Sequence, residues 1–128
     1  MNCRRLVRSD RGAATLAAVA LCGVLVVGLV CVAILGRAAA QAQRTRSAAD
    51  LAALAGAVAV AQLSDDPCGR SAEIARRNAA VQQSCQVRYP VQGAEVTVAV
   101  RSATQVWPVG WFAAHARAGL RPISQRDG

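Results

Sequence analysis

From Ala13 to Gly36 the chain runs 24 residues without a charge: AATLAAVALCGVLVVGLVCVAILG. A helix of that length measures about 36 Å. The hydrocarbon core of a bilayer is about 30 Å thick, so the run can cross it with some tilt. Helices buried in soluble cores seldom stay uncharged for so long. One membrane-spanning helix over 13–36 is therefore predicted, and any folded body must come from the flanks.

Charge gives the expected orientation. Residues 1–12 carry Arg4, Arg5, Arg8 and Arg11 against Asp10, a net of +3. Beyond the run, Arg37, Arg44 and Arg46 oppose Asp50. Positive residues favour the cytoplasmic side, which makes 1–12 a basic cytoplasmic tail. Only the 37–128 flank is long enough to fold, and it is placed outside. An alternative is a secretory signal cut after Ala40, within Ala38-Ala39-Ala40. Against it, the apolar run exceeds the usual 7–15 residues or so, and Arg37 sits just before the site.

Composition narrows the function. The whole chain has 128 residues, a net charge of +8 and a pI of about 10.9. All 15 basic residues are Arg, and 29 residues are Ala. Such a balance can signal a nucleic-acid partner. Here it divides into +3 in the tail, 0 in the run, +2 over 37–63 and +3 over 64–128. No single basic patch results, and only 3% of residues are aromatic. Alanine buries little area, so a large soluble core, and with it an enzyme of ordinary size, is not expected.

The outer flank divides by periodicity. Residues 37–63 have no Pro and are rich in Ala, the best helix former, and are read as a helical extension. Leu51, Leu54, Val58 and Ala61 make an apolar stripe on it that is expected to cover a small sheet. A second span starting near Ala48 would have to bury Asp50, at high cost. Asp66-Pro67 reads as N-cap and first residue of a second helix, running to about Gln83, with Cys68, Ala72, Ala75 and Ala79 on one face. The period then becomes two. Cys85, Val87 and Tyr89 pair as a hairpin with Val96, Val98 and Val100 across a turn at Pro90–Gly93. Phe112, Ala114, Ala116 and Ala118 suggest a third strand after a loop holding Trp107-Pro108 and Gly110-Trp111. The fold class expected is α+β: a long transmembrane helix extending into a small head (64–120) with a second helix and two or three antiparallel strands. Residues 121–128 read as a frayed end.

Five cysteines divide by location. Cys3 falls in the tail, Cys22 and Cys31 in the span. Cys68 and Cys85 lie outside with 16 residues between them. A disulfide there would join the second helix to the first strand and staple a head with a poor core; two unpaired thiols are the alternative. Neither has a close Cys or His, so a metal site is not indicated. Catalysis finds no support either. His115 stands alone, Asp65-Asp66 reads as helix punctuation, and no Gly-rich loop precedes a helix. Ser64, Ser71 and Ser84 have no partner that spacing can argue for. No cofactor and no small-molecule substrate are expected.

The layout nevertheless resembles a known family. A basic tail ends in Asp10-Arg11-Gly12, and the apolar helix follows at once. Then comes Arg44-Thr45-Arg46-Ser47-Ala48-Ala49-Asp50-Leu51-Ala52-Ala53-Leu54-Ala55, and later the Ala-rich ending Ala114-His115-Ala116-Arg117-Ala118-Gly119. Over roughly 10–120 this resembles the TadE/TadG-like proteins of bacterial tight-adherence pilus systems, closest to the short TadE-like proteins of actinobacteria. The resemblance implies a non-enzymatic, pseudopilin-like envelope subunit of a pilus or related secretion apparatus. Its partners would be the lipid bilayer and other pilin-like or assembly-apparatus membrane subunits. It also implies a prepilin-type processing site at Gly12 and Ala13. Ala14, Ala18 and Cys22, at i, i+4 and i+8, form a small-residue face that permits close helix packing in lipid. The fifth residue after Gly12 is Ala17, where prepilins usually carry Glu. A minor or accessory component is therefore expected, not the main pilin. The rival reading is a DNA-contacting minor pilin-like protein with Arg70, Arg76 and Arg77 on phosphate. The third is a small protein secreted after cleavage at Ala40.

Overall fold

The computed structural model of the chain describes residues 10–91 and 93–120. Most of the basic tail, with Cys3, and the segment 121–128 lie outside the described residues. The elements are α1 (Asp10–Ala61), α2 (Pro67–Arg77), β1 (Ala80–Arg88), β2 (Ala94–Ser102) and β3 (Ala113–Leu120). Contacts divide the chain after Arg37 into an N-terminal unit and a head.

In the N-terminal unit α1 is long and apolar enough to cross a membrane. Its leucines and valines from Leu16 to Leu35 are 52–74% exposed, and Ile34 is half-buried.

The head is α+β. Its three strands lie in the order β1-β2-β3, both pairs antiparallel. Strict alternation on β2 buries Val96, Val98 and Val100 completely. Burial of each stabilises the head by about 1.5–3 kcal/mol. The α1 residues against them are Ala48, Ala49, Ala52, Ala53 and Ala57, all within 2% of full burial.

This corrects the expected stripe. Leu51, Leu54 and Val58 remain 46%, 56% and 43% exposed. The sheet already supplies branched side chains, so a helix must come close to leave no void, and only the Ala face allows that. Ala48, Ala49, Ala52, Ala53 and Ala57 are buried in the head, and Asp50 is exposed.

Both helices end on non-glycine residues in the left-handed region. Past α1, Leu63 (φ 54°) donates to the Val60 carbonyl, and Ser64 donates to that of Ala59. These are the two hydrogen bonds of a Schellman ending. The Asp66 side chain accepts from Gly69 N at 2.8 Å, and Pro67 opens α2, as expected. The helix does not reach Gln83, however. Asn78 and Ala79 (φ 55°) close it at Arg77. With Ala in a position usually held by Gly, the stop leaves little trace in the sequence. Residue 79 is therefore not on the helix face; Ser71 and Ala75 are the buried residues of α2.

β1 begins at Ala80 and is bulged between Gln82 and Ser84. The extra residue shifts the inward positions from even to odd numbers. Ala80 is buried before the bulge, and Cys85 and Val87 turn to the core after it.

Candidate functional site

The Cys68–Cys85 disulfide is formed, with Cα atoms 5.8 Å apart. It fastens α2 to β1, and Gln82 Nε2 donates to the Cys68 carbonyl at 3.3 Å beside it. The Gly69 position belongs to the same corner. A Cβ there would strike the Asp66 carboxylate that caps the helix.

The two other cysteines described, Cys22 and Cys31, are free and exposed on α1. Ala14 and Ala18 are exposed too, so the small-residue face is open. The Gly12–Ala13 peptide lies in the first turn of α1, where Thr15 Oγ1 donates to the Gly12 carbonyl at 2.9 Å. Ala38–Ala40, the other possible cut, is helical as well. The first buried head residue is Thr45, whose Oγ1 donates to the Gln41 carbonyl. A cut after Ala40 would leave the core residues together.

Two of the three α2 arginines share one carboxylate. Glu73 accepts from Arg76 and, at 2.8 Å, from Arg77 Nε. The Arg77 hydrogen bond outweighs desolvation and, with the charges of Arg76, Arg77 and Arg70, holds the Glu73 carboxyl below its ordinary pKa. Arg70 makes no ion pair with Glu73 and lines a groove of about 350 Å³ with Leu51, Leu54, Val58 and Ile74. Two of the three phosphate candidates are thus engaged with a carboxylate.

The outer sheet face carries Arg88, Arg101 and Arg117 on β1, β2 and β3. Glu95 faces Arg88 across β1–β2 and binds Arg117 Nε at 3.3 Å. Arg101 lies under Trp111, 4.5 Å from the ring centroid. Among the described residues no group of three or more His, Cys, Asp or Glu could hold a metal.

Two apolar surfaces are exposed that the sequence did not lead one to expect. One is the Leu51–Leu54–Val58 face. The other is the β2–β3 loop. Its base is clamped: Ser102 N donates to the Phe112 carbonyl (2.7 Å), Phe112 N donates to Ser102 Oγ (3.1 Å), and Ala103 N donates to the Ala79 carbonyl (2.9 Å). Val106 and Gly110 exchange both backbone hydrogen bonds, at 2.9 and 2.8 Å. Gly110 has φ +94°, which suits glycine. Trp107 is held out at 86% exposure, beside Val109 at 53% and Trp111 at 46%. The available signal was two Trp within five residues of an otherwise aromatic-poor chain.

No known family, curated protein or solved structure matches the chain.

Proposed function

We propose that this chain is a non-enzymatic, single-span subunit of the cell envelope, with its N-terminus in the cytoplasm and its head outside. It serves a pilus or related secretion apparatus as a TadE-like, pseudopilin-like accessory component. The observation that carries the reading is the order along the chain: an arginine-rich stretch, an uncovered apolar helix, then a head with a disulfide. Disulfides persist in oxidising compartments, and arginines favour the cytoplasmic flank, so both indicators point the same way. The pilus assignment rests on the family resemblance of residues 10–120 and their order.

Topology is tested in intact cells. After mild reduction, a membrane-impermeant maleimide should label Cys68 and Cys85, and Cys3 only after lysis. Labelling of Cys3 alone would reverse the topology. The intact mass of the membrane form separates an uncut chain from one cut after Gly12. Recovery from culture fluid of a chain beginning at Gln41 would replace the anchored subunit by the secreted protein. Co-isolation with an assembly ATPase or other pilin-like subunits tests the role itself.

A further inference from the structure

We infer that the Trp107–Trp111 loop is a second membrane contact of the head, seated in the headgroup layer of the bilayer that α1 crosses. This rests on the spanning reading above and adds the partner of one surface to it.

The argument is one of tether length. Thr104, at the start of the loop, shares a cavity with Ala40, Gln41, Arg44 and Thr45. Ala40 is four residues past Gly36, where the uncharged run ends. Four residues reach at most about 14 Å when extended, and about 6 Å when helical. Trp107 is three residues beyond Thr104, at most about 10 Å more. The loop thus lies at the end of the head where the chain enters it, a short tether from the apolar run. The opposite end, at Tyr89, lies a β-strand away, about 25 Å.

Chemistry selects lipid as the occupant. Trp rings concentrate at the membrane–water interface, where an apolar ring and a polar N–H are both satisfied. Arginines next to them meet lipid phosphate. Arg44 lines the cavity beside Thr104, and the Arg101 guanidinium lies against Trp111. The clamped base fixes the loop in advance, so seating it loses little conformational freedom. An 86% exposed Trp on so well tied a loop is otherwise without a covering surface among the described residues.

The test uses the full chain in vesicles of phosphatidylcholine and phosphatidylglycerol, with lipids brominated near the headgroup end of the acyl chains. Trp111→Phe leaves Trp107 as the sole tryptophan. Its emission should shift to the blue and lose most of its intensity. The reciprocal Trp107→Phe should behave alike, to a smaller degree. In a Trp107→Phe/Trp111→Phe background, Tyr89→Trp should keep its emission. Retention after an alkaline carbonate wash is read first. A chain that washes off ends the spanning reading and this inference together. A retained chain with unquenched, water-exposed Trp107 overturns the inference alone. Blue-shifted but unquenched emission assigns the loop to a protein partner and also overturns it, as would equal quenching at Tyr89→Trp.

Discussion

A Cβ built on Gly56 would lie 2.9 Å from Val96 Cγ1. The same atom would lie 3.5 Å from Ser71 Cβ and 3.6 Å from the Pro67 carbonyl. At this position α1, α2 and β2 meet, and their spacing depends on the missing methyl.

Gly56→Ala should therefore destabilise the head by about 1–3 kcal/mol through overpacking. The gain in helix propensity, about 1 kcal/mol, offsets only part of that. Limited proteolysis of the full chain in detergent, across a denaturant series, measures it. Gly28→Ala is the control, because nothing lies within 4 Å of its added Cβ.

Removing the disulfide by Cys68→Ala and Cys85→Ala should cost about 3 kcal/mol for the 16 residues it encloses. Head proteolysis should quicken while recovery in the membrane fraction stays unchanged. Equal loss of membrane recovery would contradict the separation of anchor and head.

Leu63→Gly and Ala79→Gly should each stabilise the head. A left-handed non-glycine residue costs about 1–2 kcal/mol, and added chain entropy returns about 0.5–1 kcal/mol of the relief. Both sites are exposed, so little packing is lost. A fall in the denaturation midpoint for either would count against the helix endings described.

Glu73 provides a pH signature. Its carboxyl has a lowered pKa in the folded head, chiefly through the Arg77 hydrogen bond. Its contribution is thus fully present above the unfolded carboxylate value, about 4.3. It is lost as pH falls through the lower folded value. Glu73→Gln should lower stability slightly at neutral pH and flatten the acid limb by the same amount. The pair is exposed, so the effect is small and fades with salt.

If the Ala14–Ala18–Cys22 face packs against a second apolar helix, oxidation in native membranes should crosslink through Cys22. Cys31 is nine residues on, about half a turn round the helix, and should not crosslink. A Cys3→Ser background keeps the tail out of the assay. Crosslinking through Cys31 and not Cys22 would place the contact on the opposite face.

Much of this protein was legible from local chemistry. The capacity to span needs only length and freedom from charge, so an apolar helix over 13–36 could be read directly. The α2 cap is a contact between Asp66 and Gly69, and the β2 alternation of Val96, Val98 and Val100 repeats every second residue. Cys68 and Cys85 could be paired in outline because they were the only two cysteines beyond the apolar run. What the tertiary structure decided was which of two apolar faces of α1 turns inward. By area alone Leu51, Leu54 and Val58 had the stronger claim. Three buried valines on β2 left room only for Ala52, Ala53, Gly56 and Ala57 at close approach, and the leucines went outward. The stop at Asn78–Ala79, the bulge in β1 and the exposed Trp107 were decided likewise, by neighbours distant in the chain whose fit no local pattern encodes.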